Sequence, residues 1–286
     1  MVRARTTRVL THRLGDAGLR RAPDELIVEE PLEIRLDDHL VTTTMRTPGH
    51  DFELAAGFLH AEGLLGGARV LRCRYCGTGS AVDTEFNVVS VETGHRAPPP
   101  TARLALTTSS CGLCGAASIE ALRERLEPLG HREPFDLDVL AGIPERVAAD
   151  QDLFETTGAV HSAAAVDRTG RPVVVREDVG RHNAVDKVVG HLLLGDALPA
   201  EGHALYASGR ASFEIVQKAW AAGFSAVVSV SAPTSLAVDV ARAAGLVLAG
   251  FVRDGHLNLY APELPSRPPR EDAVREDAGR TKEPTG

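Results

Sequence analysis

The sequence predicts an α/β protein: a three-layer domain built on a mixed sheet, preceded by a smaller α+β region. Three observations predict it. Between residues 161 and 252, short runs rich in Val and Ala alternate with single amphipathic segments. Strands that alternate with single helices need crossover connections, and crossovers make the strands parallel. The first two runs of this half are joined by a short turn instead, which adds an antiparallel hairpin at the edge. Finally, residues 95–100 form a Pro-rich break between this half and an earlier region of different character.

Each element follows in order. Residues 1–24 are Arg-rich and aperiodic, and read as a mostly loose segment with at most one early strand. Residues 25–100 make the small α+β region. There, 32–36 and 40–45 alternate apolar and polar residues around Asp37-Asp38-His39, a hairpin pattern. Asp51 is expected to cap a helix with Phe52, Ala55, Ala56 and Leu59 on one face and Gly63 near its end. Residues 86–91 (FNVVSV) form a further strand. Residues 101–130 hold a cysteine loop and a helix with Ile119, Leu122, Leu126 and Leu129 at steps of three and four.

Residues 131–262 are the α/β domain. Its hairpin pairs 163–166 with 172–176 across Asp167-Arg168-Thr169-Gly170. A helix over 181–194 turns Val185, Val188, Val189 and Leu192 inward. A strand at 204–207, a helix at 212–222 stopped by Gly223, a strand at 226–230, a helix at 234–244 stopped by Gly245 and a strand at 246–252 complete it. Residues 263–286 are Pro-rich and charged, with too little apolar surface to offset ordering entropy, and are expected to be disordered.

Composition narrows the function. Aromatics are 4% of the 286 residues, so the core must be Ala, Val and Leu. A net charge of −8 excludes a broad nucleic-acid surface but leaves room for a small basic pocket. No apolar run reaches the ~18–20 residues that cross a bilayer. The basic start MVRARTTRVLTHR has no apolar segment behind it and is not a secretory signal, so a cytoplasmic location is expected. In a reducing compartment four cysteines are not a disulfide framework. They form two CxxC pairs, Cys73/Cys76 and Cys111/Cys114, a spacing of metal or thiol chemistry.

The second pair lies in Cys111-Gly112-Leu113-Cys114-Gly115, just ahead of a helix. Unpaired N–H groups at a helix start favour a thiolate, and the glycines open loop conformations closed to other residues. Half of a zinc knuckle has the same spacing, so both chemistries fit. Cys73/Cys76 favours zinc, yet 34 residues separate the pairs where ribbons use roughly 15–20. His161, in TTGAVHSAA, precedes a strand; it is a structural histidine or a site residue. Glu177, Asp178, Arg181, His182, Asn183, Asp186 and Lys187 crowd a strand-to-helix turn, where α/β sheets bind ligands. The alternative is a solvated helix start capped by Asp178. Ser208-Gly209-Arg210 occupies the same place on the next strand. Small residues there let backbone N–H groups reach a ligand, and Arg210 suits a phosphate, although no P-loop pattern is present. SAPTSLA, after the following strand, has the same character. GFVRDGH (250–256) ends the last strand as an anion contact through Arg253 and His256, or as a surface loop.

Together these segments resemble the formate dehydrogenase accessory sulfurtransferase family, FdhD/NarQ. The resemblance rests on CGLCG at 111–115, TGAVHSAA at 157–164, REDVGRHNAVDKVVG at 176–190, SGRASFEIVQKA at 208–219, SAPTSLAVDVA at 231–241 and GFVRDG at 250–255. It runs from about residue 29 to 261. It implies a core similar to the cytidine deaminase fold. It also implies a protein that accepts persulfide sulfur from a cysteine desulfurase and passes it to molybdenum bis(molybdopterin guanine dinucleotide) for formate dehydrogenase. By resemblance Cys111 bears the persulfide and Cys114 is its partner. Phe251, Val252, Arg253, Asp254, Gly255 and His256 align with the cofactor-binding stretch, and Ser208, Gly209, Arg210, His161 and Asp178 complete the expected cofactor contacts. The expected partners are the desulfurase, formate dehydrogenase and a second copy in a homodimer, with no nucleic acid, membrane, metal ligand or permanently bound cofactor. Loops 208–212 and 251–256 follow two strands of one parallel sheet, so both are expected to open at the same edge and to hold a guanine nucleotide. Deamination is not implied: no H-x-E with a following PCxxC occurs, and His161-Ser162-Ala163 lacks the glutamate. The competing readings are a structural zinc protein with a nucleotide-binding α/β domain, and a dithiol oxidoreductase using Cys111 and Cys114.

Overall fold

The computed structural model describes residues 4–16, 18–76, 86–100, 120, 122 and 124–262. Where a loose N-terminus is expected, strands β1 (Thr6–Gly15) and β2 (Gly18–Ile27) form a long antiparallel ribbon. Its pattern escapes a search for alternation because most of both faces is in water, so neither face had to become apolar.

Strands β3 (Glu30–Leu36) and β4 (His39–Arg46) form the expected hairpin. Asp37 and Asp38 both adopt positive φ, 46° and 66°, as a two-residue hairpin turn of the favoured hand requires. Helix α1 (Asp51–Ala61) buries Leu54, Ala55 and Leu59 against a four-stranded sheet ordered β4-β3-β6-β5, with β5 (Arg72–Tyr75) and β6 (Val88–Glu92). Asp51 does not cap this helix. The cap residue is His50, in the left-handed region, and Asp51 is buried in a bidentate pair with Arg46 at 3.0 and 3.1 Å. Arg46 is itself fully buried and also bonds the Asn87 side chain at 2.9 Å. The demand of a buried guanidinium for acceptors overrides the local capping preference.

Three short helices follow: α2 (Leu137–Ala141), α3 (Ile143–Ala148) and α4 (Asp152–Thr157). Then come β7 (His161–Val166), β8 (Pro172–Asp178), α5 (Arg181–Leu194), β9 (Ala204–Ala207), α6 (Phe213–Ala221), β10 (Ala226–Ser229), α7 (Ser235–Ala244), β11 (Val247–Arg253) and β12 (His256–Ala261). The six strands form one sheet ordered β12-β11-β10-β9-β7-β8, parallel across β9, β10 and β11 and antiparallel elsewhere. Strand β12 is an addition to the sequence reading, whose last strand ends at 252 within a domain that runs to 262.

Alternate residues sort into two cores. Ala163, Ala165, Leu205, Ala207, Val227 and Leu248 face α5, α6 and α7. Ala164, Val166, Tyr206, Val228 and Ala249 face α2 and α3. This is the mixed-sheet α/β architecture read from the sequence, with small side chains filling the layers. Gly223 and Gly245 end their helices at φ of 76° and 75°, the left-handed stop that favours glycine.

The two sheets share an interface. Helices α1 and α5 cross at Gly57 and Gly190, so closely that a Cβ on Gly57 would lie 2.7 Å from Gly190 N. Arg176 pairs with Glu53 across the same boundary at 2.6 and 2.8 Å. No helix among the described residues is long and apolar enough to cross a membrane.

Candidate functional site

Strands β8, β9, β10 and β11 run the same way, so the turns that follow them lie at one sheet edge, where α5 and α6 begin. Strand β7 runs opposite, which brings its first residue, His161, to the same edge, level with Asp178 at the end of β8. Ser208 locks the first turn: its N donates to Ser162 O at 2.9 Å, and its Oγ accepts from Ser162 N at 2.9 Å and lies 3.4 Å from His161 Nδ1. Gly209 passes between His161 and Arg181. A Cβ there would sit 3.3 Å from Arg181 Cδ and 3.5 Å from the imidazole, so the turn is closely packed. Gly209 O accepts from Ser229 Oγ at 2.6 Å, tying the turn to β10.

The chemistry of this rim is cationic. Arg181 is half-buried, and its Nε is buried with no partner. His182 Nε2 lies 3.4 Å from Ser212 Oγ and 3.8 Å from Glu214 Oε2. That contact with His182 pulls the Glu214 carboxyl down to about 2, against its burial. Burial, and then the neighbouring Arg181 and His182, hold the His161 imidazole below its ordinary pKa of 6.5, which favours the neutral ring near pH 7. Neither Gly180 nor Ser212, the residues before α5 and α6, caps its helix with a side chain, so first-turn N–H groups are left at the rim, although the Glu214 carboxylate takes its own backbone N–H. Arg210 is exposed beside them. Free N–H groups, a guanidinium with a spare donor and an exposed arginine suit a phosphate-bearing ligand.

The last turn joins the same rim. Ala211 bridges to Pro233, Thr234 N donates to Ala211 O at 3.1 Å, and Phe251 N donates to Ser231 O at 3.2 Å. The turns after β9 and β10 and the end of β11 are thereby laced together. Phe251 adopts φ 52° and is exposed; Arg253, Asp254, Gly255 and His256 are exposed in the β11–β12 hairpin turn. Asp254 N is held by Glu145 Oε1 at 2.9 Å. Two of the expected contact residues are buried. Val252 is fully buried in the core beneath α2 and α3, because strand alternation turns it away from the rim. Asp178 is fully buried and saturated: it pairs with Lys187 Nζ at 2.7 Å and accepts from Thr47 N, Gly180 N and Asn183 Nδ2. It organises the turn before α5. The acidic and basic cluster at 177–187 thus divides, Arg181 and His182 facing the rim and Asp178, Asp186 and Lys187 facing inward.

Cys111 and Cys114 lie outside the described residues. The chain beyond them is anchored: Leu122 enters the main core, Arg125 bonds Ala61 O and Glu62 O, and Glu127 O accepts from Trp220 Nε1 at 2.9 Å. Cys73 is on β5, packed against the core of the N-terminal sheet, and burial pushes its thiol up to about 11, with Glu92 adding to the rise. Cys76 is buried and accepts from Arg74 Nη1 at 3.0 Å. Its N–H continues the β5–β6 ladder by bonding Val88 O. Three steps of extended chain span ~10 Å between Cα atoms, where a disulfide spans ~4.4–6.8 Å. This CxxC is therefore neither an oxidisable pair nor a knuckle in this conformation, which removes the support it lends to zinc. Among the described residues no group of three or more His, Cys, Asp or Glu can hold a metal ion. A cleft of about 500 Å³, lined by Arg132, Ser225, Arg242 and Pro262 among others, opens at the opposite edge, where β10 and β11 begin.

Comparison with known proteins places this architecture. The family model described as the FdhD/NarQ family matches residues 27–265. The sulfur carrier protein FdhD of Streptomyces coelicolor is 49% identical over 258 residues, covering 87% of this chain and 91% of the relative. The protein of the same description from Anaeromyxobacter dehalogenans is 50% identical over 251 residues, covering 83% and 87%. A crystal structure from Desulfotalea psychrophila, described as a formate dehydrogenase accessory protein, superposes with a TM-score of 0.71 at 26% identity, covering 91% of this chain and 99% of that one.

Proposed function

The chain belongs to the FdhD/NarQ family, and from that premise we propose that it is a sulfur carrier acting as an accessory protein to formate dehydrogenase. The donor is a cysteine desulfurase and the acceptor is molybdenum bis(molybdopterin guanine dinucleotide). The observation that carries the reading is the family match, which spans both the CGLCG segment and the cationic rim.

In the accepting step the Cys111 thiolate attacks the outer sulfur of the donor's persulfide. A new S–S bond forms on Cys111, the donor's S–S bond breaks, and the donor cysteine leaves as its thiolate. In delivery Cys114 attacks the inner sulfur. The outer sulfur departs as sulfide toward the acceptor, and Cys111 and Cys114 supply its two electrons by closing a disulfide, which an external thiol reduces. The rim holds the acceptor's phosphates: Arg210, Arg181 and the first N–H groups of α5 and α6 are the donors, with Arg253 at the β11–β12 turn. His161, its neutral ring favoured near pH 7, can donate to or accept from a ribose or base without adding charge. The likeness of the core to the cytidine deaminase fold belongs to the same reading, and so does a homodimer.

Mass spectrometry of the intact protein after incubation with a cysteine desulfurase and cysteine tests the assignment. The wild type should gain one sulfur, Cys111→Ala none, and Cys114→Ala some. Loading of Cys111→Ala at the wild-type level would overturn it.

A further inference from the structure

The β1–β2 ribbon carries three liabilities at its outer half. An isolated two-stranded ribbon is marginal in water. Leu10, Leu14 and Leu19 are 64%, 78% and 67% exposed. Arg13 stands directly opposite Arg20, like charges offset only by an exposed pair of Arg13 with Asp24 at 3.6 Å. Residues opposite each other share a face, as does every second residue along a strand. Leu10, His12, Leu14, Leu19 and Arg21 therefore form one face, apolar and basic. The ribbon's base is held to the body by Val28 N donating to Arg5 O and by β2 against α4, but residues 12–16 and 18–21 are all exposed.

The chain carries the complement of this face elsewhere. Residues 133–155 hold seven carboxylates and one arginine, Arg146. They form the outer surface of α2, α3 and α4, where Asp136, Asp138, Asp150, Asp152 and Glu155 are exposed. Leu137 and Phe154, 42% and 50% exposed, are set among them. The first 27 residues hold six arginines and three carboxylates, against a chain total of −8.

We propose that the outer half of the β1–β2 ribbon is the arm of a twofold dimer, lying on the acidic α2–α4 surface of a second copy. A twofold axis makes the contact twice, so each copy covers its partner's leucines and is covered in return. Leu14 and Leu19 meet Leu137 and Phe154, and Arg21, on the same face as the leucines, meets Asp152 and Glu155. The proposal rests on the homodimer in the reading above and is independent of sulfur transfer.

Sedimentation velocity of the full chain tests it. The wild type should be a dimer at micromolar concentration, and the dimer should weaken as salt rises, because the paired charges sit at a surface. Leu14→Glu with Leu19→Glu should weaken it at least about a hundredfold. Asp152→Lys with Glu155→Lys should also weaken it, and adding Arg21→Glu to that variant should recover part of the loss. The altered side chains are exposed, so circular dichroism should be unchanged. A monomeric wild type, or a dimer indifferent to both the leucine and the carboxylate variants, would overturn the proposal. Sulfur loading of Cys111, measured on the same samples, reports separately on the carrier reading.

Discussion

Replacing Gly57 with alanine places a methyl carbon 2.7 Å from the amide nitrogen of Gly190 and inside contact distance of the Asp186 carbonyl. Non-bonded heavy atoms prefer ~3.5–4.0 Å, and the Asp186 oxygen would be only 1.9 Å away, so α1 and α5 must part by roughly 1.5 Å. Both obstructing groups are helix backbone, so no side chain can turn aside. Parting the helices also pulls on the Arg176–Glu53 pair and thins the contact along the whole crossing. Overpacking of this kind costs ~1–3 kcal/mol, occasionally more, and a rigid obstruction belongs at the upper end. Alanine's better helix propensity returns about 1 kcal/mol. The expected net loss is about 2 kcal/mol, or a fall in melting temperature of about 4–8 °C. Gly190→Ala, whose methyl would lie 2.5 Å from Glu53 C, should lose a similar amount. The double variant should lose less than the sum, because one separation relieves both clashes. Gly130→Ala is the control: a Cβ there meets nothing within 4 Å. Urea and thermal unfolding of the four variants measure this, and a Gly57→Ala protein as stable as the wild type would refute the packing argument.

Calorimetry should show that Arg210→Ala and Arg253→Ala each weaken GDP binding about ten- to a hundredfold, the loss of one charge-assisted hydrogen bond of roughly 1.5–3 kcal/mol; unchanged affinity in both would leave the turn at 208–212 as a mere connection. Burial alone would raise the Glu53 carboxyl, but hydrogen bonds from Arg176, His50 and His191 outweigh it and hold the group well below its ordinary 4.5. A depressed folded value means stability that is present above pH 4.5 and lost as pH falls below it, so acid unfolding of Glu53→Gln should be less steep than that of the wild type, and equal slopes would contradict the assignment.

The α/β half is legible in the sequence because its periods are unambiguous. Val185, Val188, Val189 and Leu192 repeat at helical steps and are all buried, while Gly223 and Gly245 stop their helices where expected. The β1–β2 ribbon is not legible, since no buried face imposes a period of two. Strand β12 is hidden for a related reason: His256 and Asn258 are exposed on it and blur the apolar run. At the rim, single turns are readable but their assembly is not. His182 and Glu214 are 32 positions apart, and only the packing of α5 beside α6 brings them together. Asp178 shows the converse, a charged residue at a ligand-binding location whose partner is the buried Lys187. Nothing in the local sequence distinguishes a carboxylate facing out from one facing a lysine nine residues later.

The seam between the two sheets also orders events during synthesis. Thr47 N reaches Asp178, and Thr47 O accepts from Lys187 at 3.0 Å, contacts separated by 131 and 140 residues. The glycine face of α1 waits for Gly190. A nascent chain that has emerged only to residue 100 holds all four strands of the N-terminal sheet but has nothing to lay against the outer face of α1 or to bond Thr47. Such long-range contacts form late and leave apolar surface open meanwhile. The N-terminal sheet is therefore completed by the ribosome's later output rather than by its own residues. Splitting the gene at the Pro-rich break should give two pieces that fold only when expressed together.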